Sequence, residues 1–171
     1  MTDRYAIIGN PIAQAKSPAL QTAFARQCGQ DMEYSAILAE ADEFVAKVRE
    51  FQASGGLGMN ITMPFKLDAF RLADELSERA RVAGAVNTFV FREDGTIFGD
   101  NTDGFGIVRD ITHNLGRPLR GSRVLVLGAG GAGRGSLLPI FREEPDEVFI
   151  ANRTAAKAAE LARPSRPARP R

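Results

Sequence analysis

The chain has 171 residues, 44% of them hydrophobic and 25% charged, which is ordinary for a globular protein with enough apolar material for a core. Its net charge of +1 is uneven: the last nine residues hold four arginines and no acid, which leaves the other 162 at −3 and points away from nucleic acid. No apolar run approaches a membrane span, the N-terminus lacks a signal-peptide pattern, and one cysteine (Cys28) with one histidine (His113) excludes an internal disulfide framework and a typical zinc site. A reducing cytoplasm is the expected compartment.

Residues 4–9 read as a buried strand ending in a turn. Ser17-Pro18 then opens a helix, with Ser17 as N-cap and Pro18 in the first helical position. Leu20, Phe24 and Cys28 recur at helical spacing, and Gly29 ends that helix. Residues 34–38 form the second expected strand. Phe44, Val45, Val48 and Phe51 mark a second amphipathic helix, stopped by Gly55-Gly56. A third strand covers 58–62, Pro64 ends it, and a helix holds Phe65, Ala69, Phe70 and Leu72. Residues 88–92 and 96–98 pair as a hairpin around Asp94-Gly95. Strand and helix alternate, which predicts an α/β domain with a mainly parallel sheet.

A connecting helix is expected over 104–115, closed by Asn114 and Gly116. A new α/β unit begins at Arg123: a strand over 124–127, a glycine loop, a helix over 132–141, a strand over 147–151 and a last helix from Thr154. The loop is Gly128-Ala129-Gly130-Gly131-Ala132-Gly133. Gly-x-Gly-x-x-Gly alone is a weak signal, but here it follows a strand and opens a helix, as a dinucleotide fingerprint requires. Gly128 permits the tight turn, Gly130 lets backbone approach a pyrophosphate, and Gly133 lets helix pack on strand. The helix N-terminus adds N–H groups and a favourable dipole. The bland alternative is a glycine-rich connection with no ligand. An NAD site would place Asp or Glu about 20 residues on, at the end of the second strand. This chain has Asn152-Arg153-Thr154 there. Arg153 is a cation where a 2′-phosphate would sit, with Asn152 and Thr154 as neutral donors, so NADP is favoured; otherwise Arg153 is a solvated helix-start arginine.

Three polar blocks lie in apolar surroundings: residues 60–66 (NITMPFK), 85–88 (AVNT) and 99–104 (GDNTDG). They supply a lysine, an aspartate, amides and hydroxyls, a set suited to a small polyhydroxylated molecule. With the glycine loop they suggest an oxidoreductase using a nicotinamide cofactor. Lys66 and Asp103 are the acid/base candidates, since a lysine held near an aspartate can pass a proton while the carboxylate orients it. Taken alone, they could equally be a surface lysine and a helix-capping aspartate.

In order and spacing, these blocks resemble shikimate dehydrogenases, together with Gly9-Asn10-Pro11-Ile12, Lys16-Ser17-Pro18, the glycine loop and Asn152-Arg153-Thr154. The resemblance covers about residues 4–162. It implies NADP-dependent interconversion of 3-dehydroshikimate and shikimate, on the route to chorismate and aromatic amino acids. It implies that Lys66 and Asp103 form the catalytic pair, with Lys66 the acid/base at the reacting oxygen. Ser17 would bond the substrate carboxylate, and Thr62, Asn87 and Asp103 would hold carboxylate and ring hydroxyls. The expected domains are a substrate-binding catalytic domain over 1–104, a partial Rossmann-like NADP domain over 105–162 and a disordered Arg/Pro tail over 163–171. The expected place for the reaction is the cleft between the two domains. The alternatives are a quinate/shikimate dehydrogenase of broader range, a methylenetetrahydrofolate dehydrogenase, or a fragment that binds shikimate weakly without turnover. The expected partners are small molecules, with no nucleic acid and no membrane; a homodimer stays open.

Two departures from the family pattern stand out. The family usually has Ser-x-Ser before the proline, whereas this chain has Ala15-Lys16-Ser17, one hydroxyl fewer for the carboxylate pocket. The chain also stops 38 residues after Gly133. The reading is therefore a C-terminally truncated member, with two nucleotide-domain strands and uncovered apolar faces that favour aggregation. The abrupt Arg/Pro tail reads as out-of-frame translation past Ala162.

Overall fold

The computed structural model describes residues 2–163. Apart from Arg163, the Arg/Pro tail of the sequence reading lies outside the described residues. Two compact units emerge, one running through Ala80 and including Ala85–Asn101, the other containing Arg81–Gly84 and the chain from Thr102 onward.

The first unit is built on a six-stranded sheet. In chain order its elements are β1 (Asp3–Gly9), α1 (Ser17–Cys28), β2 (Met32–Leu38), α2 (Phe44–Ala53), β3 (Gly56–Ile61), α3 (Lys66–Leu72), β4 (Glu75–Leu76), the start of α4 (Glu78–Ala83), β5 (Thr88–Phe91) and β6 (Ile97–Asp100). The strand order is β2-β1-β3-β5-β6-β4. Strands β1 and β2, β1 and β3, and β4 and β6 pair in parallel; β3 with β5 and β5 with β6 are antiparallel. The α/β expectation holds, with the hairpin adding the antiparallel part. At the hairpin tip, Asp94 Oδ1 accepts from Thr96 N–H at 2.9 Å and Thr96 Oγ1 at 2.6 Å, closing the turn as Asp-Gly predicts.

Alternation explains which face is buried. Ala6 and Ile8 of β1 point into the core with Met59, Ile61, Phe89 and Phe91. Helix α2 covers them with Phe44, Val48 and Phe51, and Phe44 stacks on Phe65 at 4.7 Å. Val45 is half exposed and belongs to the solvent side. Helix α1 departs further from its sequence pattern: Leu20, Phe24 and Cys28 all lie exposed, and Ala25 is the buried residue. A methyl group allows the helix to approach closely where a Leu or Phe would hold it off.

In the second unit, α5 (Asp103–Arg109) continues into a π-helical turn (Asp110–Asn114), followed by β7 (Arg123–Leu127), α6 (Gly131–Arg142), β8 (Glu147–Ala151) and α7 (Ala155–Leu161). Strands β7 and β8 pair in parallel as a two-stranded sheet. Val108, Leu119 and Ile140 form its small core, with Val124, Val126 and Val148 packed against it. The opposite sheet face is apolar yet open: Leu125 is 59% exposed, Leu127 78% and Phe149 51%.

Candidate functional site

In open α/β sheets, ligands gather at the carboxyl ends of parallel strands. Here β1 and β3 end side by side, with Ile8 opposite Ile61 in the register. Their exits are tied together: Thr62 N–H donates to Ile8 O at 3.0 Å and Asn10 N–H to Met63 O at 2.9 Å. The peptide bonds before Pro11 and Pro64 are both cis. A Cβ on Gly9 would lie 2.3 Å from Thr62 Cγ2, so only glycine lets the two exits approach this closely. Thr62 is thus held at the strand end by backbone and methyl contacts.

Lys66 is the first residue of α3, one turn beyond Thr62. Its carbonyl accepts from Val86 N–H at 2.9 Å; next in line, Asn87 N–H donates to Asp100 O at 2.9 Å and Asn87 O accepts from Ile61 N–H at 2.8 Å. These bonds bring Thr62, Lys66 and Asn87, from two separate segments, to one edge of the sheet. Asn87 is 8% exposed, and its Oδ1 accepts from Thr88 Oγ1 at 2.8 Å. Among the described residues, no buried side-chain nitrogen or oxygen is left unsatisfied.

Not every amide of the polar blocks is available for a ligand. Asn60 accepts from Tyr34 O–H at 2.6 Å and donates to Asn87 O and Thr88 Oγ1, both at 3.3 Å. Asn101 is 2% exposed and donates to Ala85 O at 2.9 Å. Both are framework.

Ser17 is not the helix cap that the sequence suggests. Lys16 stands in the cap position with a helical backbone and no side-chain cap bond, and Leu20 N–H reaches back to Lys16 O at 3.0 Å. The first turn starts one residue earlier, so the Ser17 hydroxyl has no capping duty. Asp103 opens α5 in the second unit, with Thr102 in its cap position.

The sequence reading missed the residues that brace this edge. Asp100 is gripped by Arg79, and its Oδ1 also accepts from Ser77 Oγ at 2.6 Å and Asn101 N–H at 2.7 Å. Burial alone would push the Asp100 carboxyl up; these donors outweigh it and hold its pKa below the usual range. No spacing rule links Arg79 to Asp100, 21 residues apart, so no local signal marks the pair.

In the second unit the glycine loop joins β7 to α6. Gly128 has φ +111°, a conformation that favours glycine. A Cβ on Gly133 would meet Gly128 O at 2.2 Å, whereas one on Gly130 would meet nothing within 4 Å. Gly133 is therefore needed by the fold itself. The open space at Gly130 leaves room for a phosphate beside the first turn of α6, and Gly131 and Ala132 follow it in that turn. The loop fits a dinucleotide phosphate on these grounds. Arg153 and Thr154 are exposed at the end of β8. Asn152, expected to offer its side chain to the nucleotide, also accepts from Ala129 N–H at 3.2 Å and donates to Thr154 O at 2.9 Å. The reason is local: the buried Ala129 amide needs an acceptor, and Asn152 is the side chain beside it.

The fold and these residues define a class of protein, an α/β substrate unit followed in sequence by a Rossmann-like unit. The family model described as the shikimate dehydrogenase substrate binding domain matches residues 7–89, and the one described as shikimate / quinate 5-dehydrogenase matches 110–169. The chain belongs to the shikimate dehydrogenase family. The shikimate dehydrogenase (NADP(+)) of Chromobacterium violaceum is 59% identical over 162 residues, covering 95% of this chain and 59% of that protein. The crystal structure of an Ael1 enzyme from Pseudomonas putida is 54% identical with TM-score 0.86, covering 94% of this chain and 59% of the other. The shikimate 5-dehydrogenase of Thermus thermophilus in complex with NADP(H) and shikimate is 32% identical with TM-score 0.85, covering 94% and 60%. The chain thus spans about three fifths of the length of these relatives. Their names favour the shikimate reading over the folate-type alternative.

Proposed function

We propose that the chain carries the shikimate-binding unit and the first part of the NADP-binding unit of a shikimate dehydrogenase, acting in the cytoplasm. The observation that carries this reading is the stitched carboxyl edge of β1 and β3, where Thr62, Lys66 and Asn87 meet. That edge offers a hydroxyl, an ammonium and an amide, which suit a small molecule with one carboxylate and several hydroxyls. Ser17 adds a hydroxyl that is not engaged in helix capping. The substrate domain is read as 1–104 and the nucleotide domain as 105–162.

In this reading Lys66 is the acid/base at the reacting oxygen, taking the hydroxyl proton when shikimate is oxidised and returning it in reduction. Asp103 orients that exchange and holds a ring hydroxyl. NADP, when bound, supplies the hydride carrier. Residues 128–133 would cradle its pyrophosphate, with Arg153 and Thr154 at the 2′-phosphate.

The test is calorimetric titration of the purified chain with shikimate and with NADPH, beside an assay of NADP reduction by shikimate. Binding of both ligands supports the reading, and turnover extends it to the full reaction. A folded chain that takes up neither ligand overturns it.

A further inference from the structure

We propose that Asn152 is a positioning residue that locks the glycine loop in its nucleotide-ready form before any nucleotide arrives. The inference rests on the NADP reading above. The side-chain amide of Asn152 spans the two segments that reading assigns to the cofactor. Its Oδ1 accepts from Ala129 N–H at 3.2 Å, inside the loop, and its Nδ2 donates to Thr154 O at 2.9 Å, at the entry to α7. Backbone N–H can only donate and C=O can only accept, so these two partners define which way the amide points.

The position gives this bridge its consequence. Ala129 is 3% exposed, so its N–H would be an orphan without Asn152. Gly128 N–H is already held by Ala151 O at 2.7 Å. With the first two loop amides tied to β8 and its exit, the pyrophosphate is left to the amides that follow, at the start of α6. Because the same side chain sets the carbonyl of Thr154, the pyrophosphate loop and the 2′-phosphate end move as one piece. Asn152 acts on the nucleotide through this rigidity.

The experiment combines amide hydrogen exchange, read residue by residue by NMR on the unliganded chain, with NADPH titration. Asn152→Ala is expected to speed exchange at Ala129 by at least about tenfold and to weaken NADPH by about tenfold. The β7–β8 ladder amides of Val124, Val126 and Phe149 should stay protected, which separates loop release from unfolding. Asn152→Asp keeps an acceptor for Ala129 but loses the donor to Thr154, so Ala129 should stay protected while NADPH binding still weakens. Unchanged Ala129 exchange or unchanged NADPH affinity in Asn152→Ala overturns the inference. If the unsubstituted chain takes up no NADPH, the functional reading of this unit fails, while the exchange data still decide whether Asn152 locks the loop.

Discussion

Arg79 holds Asp100 with two parallel bonds, from Nε to one carboxylate oxygen and from Nη2 to the other. The Asp100 side chain is 13% exposed and that of Arg79 35%, so the pair is shielded more than a surface ion pair and braces the turn that leads to Asn101. Removing the Asp100 charge takes the two-point carboxylate contact away from the partly shielded Arg79. Asp100→Asn should therefore destabilise the chain by about 1–3 kcal/mol, measured as a lower urea midpoint. The pH dependence has a definite sign. The folded pKa of Asp100 lies below its unfolded value of about 3.9, so its contribution is present above about pH 4 and fades as pH falls through the folded value. Acid unfolding should be less steep below about pH 4 in Asp100→Asn; an identical acid limb in the two proteins would count against the pair.

Ala15 precedes Lys16 and the Ser17 hydroxyl that sequence reasoning assigns to a substrate carboxylate. Ala15→Ser restores one donor to that pocket. Shikimate should bind more tightly by up to about tenfold, the effect of one ordinary hydrogen bond. Thr62→Val keeps the methyl that packs by Gly9 but removes the hydroxyl, and should weaken shikimate by a similar factor. Calorimetry on both variants checks this; unchanged affinity in both would remove position 15 and Thr62 from the carboxylate and hydroxyl contacts.

The glycines at 130 and 133 should respond differently to the same change. Gly133→Ala drives a methyl into Gly128 O, so the melting temperature should fall by several degrees and nucleotide binding should go with it. Gly130→Ala meets open space, so melting should hardly move. Its NADPH affinity should still drop, because the added methyl occupies the approach of the pyrophosphate. If Gly130→Ala binds NADPH normally, no phosphate comes near that residue.

Burial pushes the Tyr34 phenol up to about 12, and burial followed by the Asp3 charge raises that of Tyr5. Each folded value lies above the unfolded value of about 10, so the stability they confer is complete below about pH 10 and is lost as pH rises through the folded value, about 12 for Tyr34. With two tyrosines and no tryptophan, phenolate absorbance reports them cleanly. Tyr34→Phe should flatten the alkaline loss of stability. At neutral pH it should cost about 1 kcal/mol, because Asn60 Oδ1 loses the donor at 2.6 Å. A first titration step near pH 10 covering both phenols would show that neither is shielded.

Much of the architecture was legible in the sequence because it is local. Asp94-Gly95 encodes its turn through an aspartate that reaches two residues on, and Gly29 and Gly55-Gly56 punctuate helices wherever they sit in space. The glycine loop was readable for the same reason, since strand, turn and helix are adjacent in sequence. The two-residue strand β4 and the short helix α4 carry no such signal; β4 exists because β6 offers it a partner. Helix α1 misled because Leu20, Phe24 and Cys28 keep helical spacing, while the sheet beneath accepts only the small Ala25.

What the sequence determined by itself was therefore the kind of chemistry on hand: Ser17, Thr62, Lys66, Asn87 and Asp103 in polar blocks, and a phosphate loop without an acid after it. Only the tertiary structure decided which polar groups are committed elsewhere. Asn60 and Asn101 stitch the framework, Asp100 is gripped by Arg79, and Asn152 bridges Ala129 and Thr154. The physical reason is that a buried hydrogen-bonding group must find its partner wherever the fold brings one, and the bonds of Asn60, Asn101 and Asn152 and the Arg79 grip on Asp100 reach between 2 and 28 residues along the chain.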